Sequence, residues 1–264
     1  MTVVDAQVHL WPPISPVAGH TSLTVDEIVR EMNGAGVEVA MLVPPPASMG
    51  VDTNRPALEA VRRYPDRFMR TVVTALEETG LSALREAVEG AHCIRVVATT
   101  PADVRRVGDG EADWIFGEAI AAGLPISLYL PRAAPVIVEL ATKFPSVRIA
   151  VDHLNLGKIA EGGGISRQIT DVVGLAALPN VAMKLSGMPA YADDDYPFRS
   201  LTKDIRRIVS SFGEARVMWG SDLTRLRCSY PQSLDWIRRH SGAELVSERI
   251  FGDSLLDWYG AARR

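Results

Sequence analysis

The sequence predicts a single-domain α/β protein, a (β/α)8 (TIM) barrel of eight parallel strands with helices between them. Three observations lead to this prediction: the length of 264 residues, eight short apolar segments at regular intervals, and amphipathic segments between them. Closed parallel barrels have about this length, and the intervals match the size of a strand–helix unit. With no Pro/Ser/Gly-rich linker in the chain, we expect one domain over residues 1–264.

The eight predicted strands are short and mainly apolar, as expected of parallel strands that are buried on both faces. They are residues 3–9, 38–44, 68–74, 93–98, 125–130, 147–153, 180–186 and 216–222.

Five of the segments between the strands have apolar residues at helical spacing, so each predicted helix has one apolar stripe that can face the sheet. They are residues 24–34, 54–64, 111–122, 134–144 and 200–212. Gly or Pro precedes the next strand in NGAGVEV, RYPDRFM and AAGLPIS, which is typical of helix ends.

An open doubly wound sheet is the alternative fold. It requires a glycine-rich phosphate-binding turn after the first strand, where this chain has HLWPP. The glycine cluster at 162–164 follows a different strand and lacks both phosphate-binding patterns, so we interpret it as a flexible loop.

Composition and charge exclude several classes of protein. The net charge is −4, and no basic stripe with interleaved aromatic residues is present, which argues against nucleic acid as a partner. No apolar run approaches the roughly 18 residues of a membrane span, and the first residues do not resemble a secretory signal. Cys93 and Cys228 form no ligand or disulfide pattern. We expect a cytoplasmic protein, and a homo-oligomer is compatible with the sequence.

The catalytic face of such a barrel lies at the carboxyl ends of the strands, where five predicted strands carry polar residues. Gln7 and His9 lie two positions apart and therefore on one side of the first strand. Asp152 and His153 are adjacent at the end of the sixth strand, so we expect them to face opposite ways, with His153 in the mouth. Asp222 ends the eighth strand. The alternatives are hydrogen-bonded structural histidines and a helix-capping Asp222.

The remaining candidates indicate the substrate. Tyr129, Lys184 and Ser186 end the fifth and seventh strands, although Tyr129 could be ordinary core. Cationic residues at or near the mouth point to a small anionic substrate, because arginine binds a carboxylate through two hydrogen bonds. They are Arg95, Arg132, Lys184, Arg225 and Arg227. Arg132 and Arg227 could instead be solvated loop charges. Arg95 lies in an apolar strand and needs an acidic partner or an anionic ligand.

Four of these segments resemble motifs of the amidohydrolase superfamily. DAQVHLW resembles its D-x-H-x-H opening, VDHLNLGK its D-H-L-G segment, KLSG its seventh strand and MWGSD its terminal aspartate motif. Together they are similar to the branch of TIM-barrel metal-dependent hydrolases that includes sugar lactonases and pyrone-dicarboxylate lactonase. The resemblance extends over nearly the whole chain.

The resemblance implies a metal site, with one departure. Its ligands would be His9, His153 and Asp222, around a divalent ion such as zinc. Gln7 stands where the family has the first histidine of its pair, and its amide oxygen is a poor fourth candidate. Because some lactonases of this branch are thought to work without metal, we expect a weakly held ion or none.

The resemblance also implies the reaction, hydrolysis of a lactone or related cyclic ester bearing carboxylate groups. Asp222 would be the general base on water, while His9 and His153 would stabilise the oxyanion. Tyr129, Arg95, Lys184 and Arg225 would hold the substrate. Two alternatives stay open: decarboxylation of a small acid on the same barrel, and a ligand-binding barrel without catalysis. The exact substrate depends on loop shape, and the segment 187–199 is a candidate lid.

Overall fold

The computed structural model describes residues 2–11, 22–47, 52–157, 165–240 and 247–260. Within them, eight parallel strands form one sheet in the order in which they occur along the chain. The strands are β1 (Val4–Val8), β2 (Val39–Leu42), β3 (Phe68–Val73), β4 (Cys93–Val97), β5 (Ile126–Tyr129), β6 (Ile149–Val151), β7 (Val181–Ser186) and β8 (Val217–Gly220). Each strand lies inside a predicted segment. The glycine cluster at 162–164 falls outside the described residues.

Parallel neighbours require crossover connections, and helices provide them. The described residues contain α1 (Val25–Ala35), α2 (Asn54–Arg63), α3 (Leu81–Ala87), α4 (Pro101–Gly108), α5 (Asp113–Ala122), α6 (Ala134–Lys143), α7 (Ser166–Val173), α8 (Thr202–Phe212), α9 (Tyr230–His240) and α10 (Asp253–Tyr259). The five predicted helices correspond to α1, α2, α5, α6 and α8. None of the described helices is long and apolar enough to cross a membrane.

The barrel closes where the end of β8 meets β1. The backbone N–H of Asp222 donates to the carbonyl of Gln7 at 2.9 Å. Beside it, the Asp5 carboxylate accepts hydrogen bonds from the N–H groups of Ser221 and Gln7, each at 2.9 Å, and from the Tyr230 hydroxyl at 2.6 Å. Burial nevertheless raises the pKa of Asp5 to about 6. The predicted (β/α)8 barrel is confirmed, as eight parallel strands in a nearly closed ring.

Apolar side chains fill two separate layers. One lies between the strands and the surrounding helices and includes Ile94, Phe116 and Trp219. The other fills the barrel interior near the start of the strands, where Ala150 and Met218 pack in one cluster with side chains of α10. The amino-terminal end of the barrel is therefore a sealed core, which leaves the carboxyl end for polar groups.

Candidate active site

Three predicted residues from three strands meet in the mouth of the barrel. The Nε2 atom of His9 lies 3.5 Å from Oδ1 of Asp222, and Nδ1 of His153 lies 3.9 Å from Oδ2 of the same carboxylate. All three side chains are buried, and one ligand atom from each lies within 4.8 Å of the others. Asp222 makes no helix-capping hydrogen bond with its side chain, so the capping alternative is wrong.

The backbone after β6 turns His153 into the mouth. The strand stops at Val151, and residues Asp152–Asn155 form a short turn in which His153 has φ 52° and ψ 33°. The expectation that Asp152 faces away from the mouth is wrong, because its carboxylate accepts a hydrogen bond inside the barrel from Ser127 at 2.6 Å. Alternation of side chains holds only for extended backbone, and the chain leaves that conformation here.

Ser186 holds His153 in place. Its hydroxyl oxygen accepts a hydrogen bond from the His153 backbone N–H at 3.1 Å and lies 3.0 Å from Nδ1. The carbonyl of Ser186 lies 3.2 Å from the same Nδ1. A carbonyl only accepts, so this contact favours the tautomer with hydrogen on Nδ1 and a lone pair on Nε2. Burial lowers the pKa of His153, against the opposing charges of Asp222 and Asp152.

His9 is held in the same tautomer. Its Nδ1 lies 2.6 Å from the carbonyl of Val43 and donates to it, which leaves the Nε2 lone pair directed toward Asp222. Burial lowers the pKa of His9 to about 3 although Asp222 opposes the shift. Gln7 contacts the same Nε2 at 3.4 Å, so Gln7 and His9 both lie in the mouth, as their spacing predicts.

A buried charge network lies next to this cluster, and Asp152 is its centre. Arg95 Nε lies 2.9 Å from Asp152 Oδ2, and Lys184 Nζ lies 3.0 Å from Asp152 Oδ1. Burial alone would raise the pKa of Asp152, but Lys184 and Arg95 outweigh it and hold the pKa well below its usual range. Arg95 therefore has an acidic partner within the chain, Asp152. Side-chain alternation along the strand had predicted that Asp152 faces away from the mouth.

The rim of the site combines one arginine with two tyrosines. Arg225 Nη1 lies 3.5 Å from Asp222 Oδ2, and its guanidinium lies 5.8 Å from the centre of the Tyr191 ring. The Tyr129 ring packs edge-on against His153, with 5.2 Å between ring centres. Burial raises the pKa of both tyrosines, so both stay protonated hydrogen-bond donors at neutral pH. Sequence reasoning missed Tyr191, although it lies within the candidate lid segment.

The two loop arginines differ from Arg225. Arg132 is exposed, with its backbone N–H bonded to the carbonyl of Asn155. Arg227 Nη1 donates to the carbonyl of Ala192 at 2.7 Å, and its Nη2 lies 3.4 Å from the carboxylate of Asp195. Arg227 therefore holds the segment after β7 in place through Ala192 and Asp195. Neither contact involves the His9–His153–Asp222 cluster.

The cluster suits a divalent metal ion by the chemistry of its donors. Two neutral imidazoles and one carboxylate are ligands that zinc and similar ions accept. His9 keeps its hydrogen on Nδ1, bonded to the carbonyl of Val43, with Nε2 toward Asp222, as metal-ligating histidines commonly do. On these grounds the residues present fit a divalent ion at this position.

Comparisons with known proteins place the chain among related barrels. The family model described as amidohydrolase matches residues 4–253. An L-fucono-1,5-lactonase from Burkholderia ambifaria is 29% identical over 142 residues, which are 50% of this chain and 48% of that protein. The match therefore spans about half the length of that relative.

Two solved structures share the fold over almost the whole chain. An amidohydrolase from Burkholderia multivorans with bound zinc has a TM-score of 0.83 at 20% identity, covering 99% of this chain and 100% of that one. A putative 2-pyrone-4,6-dicarboxylic acid hydrolase from Pseudomonas putida has a TM-score of 0.78 at 17% identity, covering 100% of this chain and 99% of that one.

Proposed function

The chain belongs to the amidohydrolase family, and on that premise we propose that it is a hydrolase that opens a lactone or related cyclic ester carrying a carboxylate. The observation that supports this most directly is the convergence of the Asp222 carboxylate with two neutral imidazoles, those of His9 and His153. The partial match to an L-fucono-1,5-lactonase supports the same reaction class.

Asp222 is the proposed general base. Its carboxylate takes a proton from water while the water oxygen forms a bond to the lactone carbonyl carbon. The resulting tetrahedral intermediate collapses as the ring C–O bond breaks, and Asp222 returns the proton to the leaving alkoxide. Because Asp222 is fully buried, its charge is little screened by solvent.

His9, His153 and Asp222 would also hold a divalent ion, for which zinc is the candidate. Such an ion, when bound, polarises the substrate carbonyl and lowers the pKa of bound water. The protein's own contribution is orientation: the Val43 carbonyl fixes the tautomer of His9, so that its Nε2 carries the lone pair, and Ser186 holds the His153 ring in place.

Arg225 is the proposed anchor for the substrate carboxylate. It lies at the rim, only partly exposed, between Asp222 and the Tyr191 ring. A guanidinium in such a position forms charge-assisted hydrogen bonds with a carboxylate. The Tyr129 hydroxyl donates to the carbonyl of Leu156 at 2.9 Å, so we assign Tyr129 to the wall of the site. Arg95 and Lys184 already pair with Asp152, so we assign them to support of the site rather than to direct anchoring. Cytoplasmic location and a homo-oligomeric state stay predictions.

A screen of carboxylated lactones, before and after chelation, tests this function. We expect turnover by the wild type and a loss of about 10²- to 10⁴-fold in kcat for Asp222→Asn, the usual range for a general base. Unchanged circular dichroism and Tm of the variant would show that the fold is retained. Near wild-type turnover by Asp222→Asn would defeat the assignment of the base.

The same screen separates the two alternatives. Release of carbon dioxide from small carboxylic acids, without lactone hydrolysis, would make the protein a decarboxylase. A rise in Tm with a lactone that is never converted would indicate a ligand-binding barrel, because a ligand that binds only the folded state stabilises it.

A further inference from the structure

The Lys184 ammonium group decides which way the Gln7 amide faces. Lys184 is fully buried, and Nζ lies 3.0 Å from Asp152 Oδ1, 3.0 Å from Ser127 Oγ and 3.3 Å from Gln7 Oε1. An ammonium group has three hydrogens to donate and cannot accept a hydrogen bond. The Gln7 group that faces Lys184 must therefore be the amide oxygen.

The amide nitrogen of Gln7 consequently faces His9. The distance from Gln7 Nε2 to His9 Nε2 is 3.4 Å. The other ring nitrogen of His9 donates to the carbonyl of Val43, so Nε2 carries a lone pair and can accept a hydrogen bond from the amide. The lone pair that would bind a metal ion is thus the one that Gln7 contacts.

We propose that Gln7, oriented by Lys184, competes with a divalent metal ion for His9 and thereby keeps the metal affinity of the cluster low. The proposal concerns the site of the proposed function. Gln7 is then a competitor of the ion and not a poor fourth ligand, because its amide oxygen, the atom that could bind the ion, already accepts a hydrogen bond from Lys184. A metal ion must break the Gln7–His9 hydrogen bond before it can use the His9 lone pair.

Substitutions of Gln7 should therefore tighten zinc binding. Gln7→Leu removes the competing donor without adding a ligand, and the loss of one such hydrogen bond should lower the zinc Kd about 3- to 10-fold. Gln7→Glu keeps an acceptor for Lys184, cannot donate to His9 when ionised, and adds a carboxylate. It should lower the Kd more than about tenfold, since carboxylates are good zinc ligands.

The experiment measures the zinc Kd of each purified protein by competition with a chromophoric chelator, without any substrate. Gln232→Leu is the matched control, because Gln232 caps the start of α9 through Ser229 and is exposed. Its zinc Kd should equal that of the wild type. Circular dichroism and Tm report whether each variant folds, and Gln7→Met, which keeps the length of glutamine but has no hydrogen to donate to His9, provides the test if Gln7→Leu does not fold.

A zinc Kd that rises in Gln7→Leu would identify Gln7 as a ligand and overturn the proposal. So would a Kd that stays unchanged in both variants. Because the readout is metal affinity, it is independent of lactone turnover. A protein that hydrolyses no lactone can still show the expected tightening, and an active lactonase can fail to show it.

Discussion

At the scale of single residues, the site depends on side chains that hold the candidate catalytic groups rather than on those groups alone. Ser186 is the clearest case: it was predicted as a substrate ligand, yet its hydroxyl and carbonyl both contact His153. Burial lowers the pKa of that histidine, and the serine keeps its neutral ring in one orientation.

Ser186→Ala should therefore lower kcat about tenfold with little change in KM, because His153 loses the contacts of the hydroxyl but no substrate contact is removed. Steady-state kinetics on the best lactone of the screen measures this. Ser210→Ala is the control, since Ser210 is an exposed serine on α8 whose hydroxyl donates to the carbonyl of Arg207, and it should behave as wild type. An unchanged kcat in Ser186→Ala would remove the positioning role.

The role proposed for Arg225 predicts a charge-specific defect. Arg225→Met should raise KM at least tenfold for carboxylated lactones and much less for neutral ones, because only the former lose an ion pair. Arg132→Met provides the comparison, since the side chain of Arg132 is exposed and should contribute little. An equal increase in KM for charged and neutral lactones would contradict the role of Arg225 as a carboxylate anchor.

At the scale of elements, the turns that end the strands aim the site residues. Gly187 follows β7 with φ 65°, and a Cβ at this position would lie 2.9 Å from Oδ2 of Asp222. Only glycine satisfies both the left-handed backbone and the close approach. The backbone after β7 and the Asp222 side chain after β8 therefore pack too closely here to leave room for a side chain at position 187.

Gly187→Ala should lower kcat more than tenfold, because the methyl group displaces the Asp222 carboxylate. It should also cost about 1–2 kcal/mol of unfolding free energy for the left-handed conformation. Gly174→Ala is the matched control: Gly174 has helical φ −59°, and a Cβ there meets nothing within 4 Å. That variant should keep full activity and stability. Full activity in Gly187→Ala would mean that Asp222 tolerates displacement.

At the scale of the whole molecule, the buried ionisable groups predict how stability depends on pH. The pKa of His9 is about 3 in the folded protein and 6.5 in the unfolded chain. As the pH falls, the His9 imidazole is therefore protonated in the unfolded chain at a higher pH than in the folded protein. The contribution of neutral His9 to the free energy of unfolding is therefore fully present above pH 6.5 and is lost as the pH falls toward 3. Asp5 acts in the opposite sense, because its pKa is raised from 3.8 to about 6 and its contribution is lost as the pH rises through that value.

His9 and His153 together outweigh Asp5, so unfolding free energies from urea titrations should be lower at pH 5 than at pH 7. His9→Asn keeps a donor for the Val43 carbonyl and removes the titrating ring. It should reduce the loss between pH 7 and pH 5 by about 2 kcal/mol, at roughly 1.4 kcal/mol per pH unit for each group. Asp5→Asn should increase the loss. A pH profile of His9→Asn identical to that of the wild type would contradict the burial of a neutral His9.

Much of the barrel could be predicted because burial on both faces imposes apolar, β-branched residues on each strand, and that pattern is local. The eight strands and five of the helices follow from it. The helix α3 (Leu81–Ala87) has seven residues and was not identified, since so short a segment carries little periodicity. The convergence of His9, His153 and Asp222 followed from strand order together with closure of the barrel.

The sequence by itself therefore determined the fold and which three polar residues meet, because these depend on hydrophobic pattern and on the rule that parallel strand ends share one face. Only the tertiary structure decided how these residues are supported. The Lys184 contact that orients Gln7 joins two strands far apart in the chain, β7 and β1. The inward turn of Asp152 and the position of Tyr191 at the rim depend on backbone torsions outside the regular strands. Such torsions are set by contacts between segments far apart in the chain, and no local pattern records them.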